Sequence, residues 1–215
     1  KSVFENADLT LATSYTDAEN FRKNGANAFC ITNGFDKQET TEGSNPFLSA
    51  QKFTLSYVGV LEQLRNPENL WNAIYFLLNN NQDFADDFEL KFVGRIDEII
   101  LQQLKHLGID HIVNNLGYLA HDESVNEMEN SDLLLITNFP NESSKGIIPG
   151  KLFEYLATGK QIISFGPKDA DVETILNKTK AGKHFDYSES AEISDFILSL
   201  YKDWKSGKSI QNSAN

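Results

Sequence analysis

Hydrophobic positions along the chain follow two alternating spacings. Short apolar runs of strand length alternate with segments in which apolar residues recur three or four positions apart, as on one face of a helix. Strands are predicted at Leu9–Thr13, Ala28–Thr32, Phe53–Val58, Glu89–Val93, His111–Asn114, Asp132–Ile136, Gln161–Phe165 and Lys183–Phe185. Helices are predicted at Asp17–Lys23, Asn66–Leu78, Glu98–Leu107, Glu123–Asn130, Pro149–Ala157, Asp171–Leu176 and Ala191–Trp204.

Strands that are separated by helices of this length form βαβ units. The sequence therefore predicts an α/β fold with a Rossmann-like, doubly wound, mainly parallel sheet and helices on both faces. Residues 33–51 interrupt the alternation and are predicted to be a linker that an Asn33-Gly34 turn opens. Residues 52–205 form the main predicted domain, 1–32 a separate strand–helix–strand unit, and 206–215 a polar tail. Asn66 is predicted to cap its helix, with Pro67 as the first helical residue.

Charge and cysteine content narrow the class of function. The net charge of −12 argues against a nucleic-acid partner, because phosphate backbones are bound mainly by clustered Lys and Arg. The same acidity gives no support for docking to anionic lipid. The single cysteine, Cys30, excludes an internal disulfide and fits a reducing, cytoplasmic location; its apolar surroundings predict a small core residue. Because residue 1 is lysine, we expect the natural protein to start upstream.

A ligand of such a fold binds beyond the carboxyl ends of the strands, which directs attention to four loops, 59–65, 94–97, 117–122 and 137–150. Neither the G-x-G-x-x-G pattern of dinucleotide binding nor the P-loop pattern follows any predicted strand, which weakens both of those interpretations. The four histidines are dispersed and lack metal-ligand spacing, so no metal site and no cofactor are predicted. Asp83–Asp87 is acidic but follows a predicted helix, and is expected to be a solvated connection.

One segment carries a family resemblance. The run Gly-Ile-Ile-Pro-Gly-Lys-Leu-Phe-Glu-Tyr-Leu-Ala-Thr-Gly-Lys at 146–160, with the strand after it, resembles family-4 glycosyltransferases and related GT-B enzymes. The stretches 31–36, 56–70, 90–95, 116–122 and 127–136 also resemble parts of that family in the right order, so the resemblance covers roughly residues 8 to 204. It implies that 52–205 is the C-terminal nucleotide-sugar-binding domain, one half of a GT-B fold, and that 1–32 is the end of the N-terminal acceptor domain.

The resemblance also suggests site residues. The family glutamate at the position of Glu154 hydrogen-bonds the ribose hydroxyls, as a carboxylate on a helix can do. Many relatives carry a further glutamate where this chain has Gly146, and often an arginine where it has Val60. Arg65 is therefore the predicted diphosphate ligand, since a guanidinium binds phosphate oxygens in a bidentate manner.

The other predicted members of the nucleotide-sugar site fall in the same loops. Lys151 and Arg95 are candidate second cations, and Gly59 would let backbone approach the ligand. Tyr118 is expected either to stack on the base or to be an ordinary aromatic. Backbone N–H groups around the glycine at 146 would bind phosphate or sugar. These amides belong to Ser143, Ser144, Gly146, Ile147 and Ile148.

The activity that the resemblance implies is a transferase reaction in glycan or polysaccharide biosynthesis. A sugar would pass from a nucleoside diphosphate to an acceptor glycan or lipid-linked sugar, with retained configuration and no metal ion. The sequence offers no nucleophile or general base, so the main catalytic groups are expected in the acceptor domain, and this chain alone is expected to be inactive. Peripheral membrane association stays open. The alternatives are a nucleotide-sugar epimerase, a non-catalytic sugar-nucleotide-binding domain and a flavodoxin-like interaction domain.

Overall fold

The computed structural model describes residues 2–35 and 52–210, which form two parallel sheets and nine helices. The strands are β1 Thr10–Ala12, β2 Ala28–Cys30, β3 Phe53–Val58, β4 Phe88–Val93, β5 Val113–Gly117, β6 Leu133–Thr137, β7 Gln161–Phe165 and β8 Gly182–Phe185. The helices are α1 Ser2–Asn6, α2 Tyr15–Lys23, α3 Glu68–Asn80, α4 Gln82–Asp87, α5 Glu98–His106, α6 His121–Glu129, α7 Lys151–Ala157, α8 Asp171–Thr179 and α9 Ala191–Lys205. Short 3-10 turns lie at Gln63–Arg65, Asp110–Ile112 and Glu142–Ser144.

The main sheet has the strand order β5-β4-β3-β6-β7-β8, with every described neighbour parallel. The chain winds outward from β3 in one direction and from β6 in the other. The boundary between β3 and β6 is therefore the topological switch point, where ligands bind in folds of this kind. The predicted fold class, a Rossmann-like doubly wound parallel sheet, is confirmed.

Two hydrophobic cores cover the two faces of this sheet. In β6, Leu133 and Leu135 point into the core that α3, α4, α5 and α9 cover. Leu134 and Ile136 point into the opposite core, which packs against α6, α7 and α8. This burial on both faces explains why the sequence of β6 is a continuous apolar run and does not alternate.

The N-terminal unit is a separate parallel pair, in which β1 and β2 are joined by α2. Ser14 caps α2, because its hydroxyl accepts a hydrogen bond from the Asp17 amide at 3.1 Å. One face of this pair is open, with Phe29 and Ile31 exposed. Cys30 points to the opposite face, at the end of β2, and is half-buried, so the prediction that it is a core residue is wrong.

Several boundaries differ from the predictions. Asn66 does not cap α3: its side chain accepts from Trp71 Nε1 at 2.6 Å and donates to Gln103 at 2.6 Å, and Pro67 takes the cap position. Asp83–Asp87, expected to be a solvated connection, lies in α4, which Asn81 caps, and α1 was not predicted. His111 lies in a 3-10 turn before β5. Most of the predicted linker, 36–51, and the tail residues 211–215 lie outside the described residues.

Candidate functional site

The centre of the site is a gap between β3 and β6. The two strands pair only at Leu55↔Leu133 and Ser56↔Leu134, so the last residue of β3, Val58, has no partner in β6. Two side chains of α7 replace it. Tyr155 accepts a hydrogen bond from the Val58 amide at 3.1 Å, and Lys151 donates to the Val58 carbonyl at 2.7 Å. Because the two residues are four apart in a helix, they lie on the same side of α7.

The ammonium group of Lys151 is a cation that makes no direct contact with a carboxylate in the described part of the chain. Its ammonium group lies 2.7 Å from the Val58 carbonyl, 3.3 Å from the Tyr57 hydroxyl and 4.4 Å from the centre of the Tyr57 ring. Burial, with a smaller contribution from the charge on Arg65, lowers the pKa of Lys151 from 10.5 to about 8. The site thus contains a half-buried cation at the switch point.

The residues directly after β3 and β4, called here the β3 exit and the β4 exit, contact each other through two glycines with positive φ. These angles are +123° at Gly59 and +110° at Gly94. A Cβ atom at Gly94 would lie 2.3 Å from the Gly59 carbonyl oxygen, and one at Gly59 would lie 2.6 Å from the nitrogen of Lys151. The predicted close backbone approach at Gly59 therefore involves the neighbouring loop and the Lys151 ammonium. Glycine is required at both positions.

A cleft of about 450 Å³ opens beside these glycines, lined by Gly59, Val60, Gly94, Arg95 and Tyr118. The side chain of Arg95 is exposed, and that of Tyr118 is 92% exposed. Both lie at the rim, where neither is fixed by a described hydrogen bond. The structure therefore brings Arg95 and Tyr118, two of the predicted site residues, to the same cleft as Gly59.

Arg65 lies at the end of the 3-10 turn after β3, with its guanidinium group packed on the next loop. Its terminal nitrogen donates to the Val60 carbonyl at 2.8 Å and to Glu62 at 3.1 Å, and its Cζ lies 5.4 Å from the Phe139 ring centre. Its buried Nε has no hydrogen-bond partner among the described residues. Arg65 is therefore held between the loops that follow β3 and β6, with Glu62 offsetting part of its charge.

Glu154 lies in the first turn of α7, three residues after Lys151, and is half-buried. Its carboxylate makes no hydrogen bond or ion pair with any residue that the structure describes. Both oxygens therefore keep their lone pairs for an outside donor. Helix α7 thus carries, one turn apart, a half-buried cation and a carboxylate that no described residue pairs with.

The loop between β6 and α7 is fixed by its own hydrogen bonds. The Ile147 amide donates to the Ser144 carbonyl at 2.9 Å, and the Ile147 carbonyl accepts from Asn138 at 2.8 Å. The Ser144 side chain is buried and donates to the Phe139 carbonyl. The predicted use of the Ile147 amide by phosphate therefore competes with an existing bond, which is a cost that the sequence did not indicate.

Two more of the predicted loop residues, Gly146 and Ile148, pack away from the cleft. Gly146 packs against the β1–α2 turn, where a Cβ atom would lie 3.0 Å from Ser14 Oγ and 3.2 Å from Thr16 Cβ. Ile148 packs against the second core. The side chain of Ser143 is exposed and donates to Asn141. Of the predicted loop residues, only Ile147 presents an exposed side chain of appreciable size, at 44%.

Sequence reasoning missed two tyrosines that organise the site. Tyr57, the penultimate residue of β3, supplies the ring and hydroxyl that contact Lys151. Tyr187 follows β8, and its hydroxyl lies 2.6 Å from the Asn138 carbonyl and 3.1 Å from the Arg65 carbonyl. Their position could have indicated a role in the site, since both are aromatic residues at the carboxyl ends of strands. Their roles depend on which strands are neighbours, which a single sequence does not state.

Residues 2–35 and 52–210 contain no group of three or more His, Cys, Asp or Glu side chains that could hold a metal ion. No helix in the same ranges has both the length and the apolar character needed to cross a bilayer.

Comparison with known proteins links this geometry to a fold family. No protein-family model matches the chain, and no curated protein sequence matches it. Among solved structures, Anabaena Alr3699/HepE, determined in complex with UDP and glucose, has a TM-score of 0.68 and 18% identity over 94% of this chain. Sucrose-phosphate synthase from Thermosynechococcus elongatus has a TM-score of 0.70 and 15% identity over 94% of this chain. The chain has the fold of the C-terminal half of a GT-B glycosyltransferase.

A third similar structure is WaaG, described as a glycosyltransferase involved in lipopolysaccharide biosynthesis, with a TM-score of 0.68 and 13% identity over 91% of this chain. The chain spans only about half the length of these GT-B proteins: 56% of HepE, 51% of the synthase and 54% of WaaG. The fold part of the sequence resemblance is confirmed. At identities this low the likeness establishes the fold and leaves individual site residues to be tested.

Proposed function

We propose that this GT-B chain binds a nucleoside-diphosphate sugar as the donor half of a glycosyltransferase. The observation that carries the proposal is Lys151, a half-buried cation at the switch point that no carboxylate of the described residues contacts. A charge removed from water is costly unless an opposite charge accompanies it. The diphosphate of a sugar nucleotide would supply that charge at the place where this class of fold binds its ligands.

The neighbours of Lys151 fit the rest of the ligand. Glu154, one turn further along α7, offers free carboxylate oxygens to vicinal hydroxyls, and in a nucleotide the ribose is directly joined to the diphosphate. Arg65 adds a second cation on the other side of the β3 exit. Tyr118 and Arg95 line the adjacent cleft, where a nucleobase would find an aromatic ring and a cation.

The same arrangement suggests how the chain would contribute to sugar transfer. Negative charge grows on the leaving diphosphate as the glycosidic bond breaks, and fixed cations stabilise that charge. Lys151 and Arg65 would perform this task without a metal ion, and the transfer would retain the anomeric configuration. The acceptor, a glycan or a lipid-linked sugar, would be bound by a second domain. The isolated 215-residue chain is therefore expected to bind donor without transferring it.

The test is calorimetric titration with a panel of UDP-glucose, UDP-N-acetylglucosamine, GDP-mannose, ADP-glucose and the corresponding diphosphates. Saturable binding of one nucleotide is expected, and Glu154→Gln should weaken it by about 1–3 kcal/mol through the loss of hydroxyl hydrogen bonds to a charged acceptor. Glu129→Gln is the matched control, because Glu129 is a half-buried helical glutamate at the end of α6, close to the start of β6 and so to the amino ends of the strands. If folded wild-type chain binds none of the panel, or if both variants weaken binding equally, the proposal is wrong.

An epimerase or a purely non-catalytic domain of the same fold is a weaker candidate. Among the similar solved structures, WaaG is described as a glycosyltransferase, which favours sugar transfer over both alternatives. Detection of sugar isomerisation or hydrolysis by the isolated chain would favour the epimerase alternative.

A further inference from the structure

The N-terminal unit meets the main domain through a buried polar contact. The Thr16 amide donates to one oxygen of Asp171 at 3.1 Å, and the Thr16 hydroxyl donates to the other at 2.7 Å. Asp171 is the first residue of α8 and is only 4% exposed. Its charge is stabilised by these two donors and by the N-terminus of its own helix.

Asp171 also binds the loop between β6 and α7. Its backbone amide donates to the Lys145 carbonyl at 2.9 Å. The next residue, Gly146, lies so close to the β1–α2 turn that a Cβ atom would be 3.0 Å from Ser14 Oγ. Asp171 therefore joins three segments: the start of α8, the turn before α2, and the middle of the β6–α7 loop.

This loop reaches the donor site at both of its ends. Near its start, Phe139 supports the guanidinium group of Arg65, and Asn138 donates to the Ile147 carbonyl. At its other end it leads into α7, which carries Lys151 and Glu154. A shift of residues 145–146 would therefore move groups of the candidate donor site, Lys151 and Glu154 among them.

We propose that Thr16 and Asp171 form a latch that holds the β6–α7 loop in the conformation in which Phe139 packs on Arg65 and α7 presents Lys151 and Glu154. Both residues are then positioning residues for donor binding, and this last part rests on the proposed function. A second contact accompanies the latch: the Lys178 ammonium group lies 4.8 Å from the centre of the Tyr15 ring. The N-terminal unit thereby influences the donor site without touching the ligand.

The experiment compares Thr16→Val and Asp171→Asn with two controls. Thr16→Ser keeps the hydroxyl, and Asp195→Asn changes an exposed aspartate of α9. Hydrogen exchange of residues 142–150 is measured by mass spectrometry, and affinity is measured with the tightest-binding nucleotide sugar of the panel. The latch variants should speed exchange in this loop by about tenfold, the size expected for losing one hydrogen bond to a charged group. They should also weaken nucleotide-sugar binding several-fold, with the double variant no weaker than the worse single one.

Separate outcomes distinguish the two proposals. Unchanged exchange at 142–150 in both latch variants, or strictly additive losses of affinity in the double variant, would overturn the latch. Thr16→Ser must behave as wild type; if it loosens the loop as much as Thr16→Val, the hydroxyl contact is not responsible. If the wild-type chain binds no panel nucleotide, the donor proposal fails, while the exchange measurement still decides whether the latch holds the loop.

Discussion

Tyr155 accepts a hydrogen bond from the backbone amide of Val58, 3.1 Å away across the gap between β3 and β6. A side chain of α7 thus takes the place of a strand in the sheet. The Lys151 ammonium group donates to the carbonyl of Val58, so both backbone groups of Val58 bind side chains of α7 in place of a neighbouring strand. The switch point is consequently closed by the helix on which the candidate ligand groups lie, which links the stability of the sheet to the shape of the site.

Tyr155→Phe is expected to lower the free energy of unfolding by about 1–2 kcal/mol, because it leaves the half-buried amide of Val58 without an acceptor. The change removes one oxygen and keeps the ring, so packing is preserved. Tyr75→Phe is the control, since Tyr75 is 44% exposed on α3. Urea denaturation of the two variants provides the comparison. Equal stability of the two variants would show that water replaces the tyrosine hydroxyl at no cost.

Much of the fold could be predicted because its signals are local. The apolar run of β6 and the helical spacing of α3 follow from burial, and the doubly wound topology then follows from short right-handed connections. The prediction that Asn66 caps α3 was wrong because its side chain forms hydrogen bonds with Trp71 and Gln103. The hydrogen bond with Gln103 depends on the packing of α5, which is distant from Asn66 in the sequence.

The candidate site was predicted in outline only. Position after a strand pointed to Gly59, and the resemblance pointed to Glu154 and Lys151. The contacts of Lys151 with Tyr57 and Val58 could not be predicted, since they exist only where β3 and β6 separate. In the same way, nothing in the sequence placed Gly146 against the turn that contains Thr16.

Gly94→Ala is expected to destabilise the chain by more than about 3 kcal/mol, because a strained φ and a steric overlap act together. The added Cβ atom would lie 2.3 Å from the Gly59 carbonyl oxygen, at a φ of +110°. Gly108→Ala separates the two effects: φ there is +73° with nothing within 4 Å, so only the conformational cost of about 1 kcal/mol should appear. Thermal or urea unfolding measures both, and similar losses for the two variants would contradict the contact between the loops.

Lys151 should make stability depend on pH in the alkaline range. Its pKa is lowered to about 8 in the folded chain, so between there and 10.5 the unfolded chain binds more protons. Stability therefore rises as pH increases through this window. Relative to Lys151→Met, which removes the titrating group and keeps an apolar stem, the wild type should gain roughly 1–2 kcal/mol between pH 7.5 and 9.5. A constant difference across that range would mean that Lys151 does not titrate there.

Diphosphate binding should show the opposite dependence on pH. The cationic form of Lys151 is the one that would attract phosphate, and it is lost as pH rises through about 8. Affinity for the best nucleoside diphosphate of the panel should therefore fall about tenfold from pH 7 to pH 9.5, which corresponds to losing one ionic contact of roughly 1.4 kcal/mol. Calorimetry at several pH values, with Lys151→Met as the control that lacks the dependence, measures this. The same fall in that variant would assign the titration to another group.

The two candidate arginines should differ in their contribution to diphosphate binding. Arg65 is packed on Phe139, and its Nε has no hydrogen-bond partner in the part of the chain that the structure describes, so its charge is already positioned. Arg95 is exposed at the rim and must lose side-chain freedom on binding. Arg65→Met should weaken nucleoside-diphosphate affinity by about tenfold or more, and Arg95→Met by less than about threefold. Neither should change the affinity for the unphosphorylated nucleoside by a comparable factor. A larger loss from Arg95→Met would place the diphosphate at the β4 exit, away from the gap between β3 and β6.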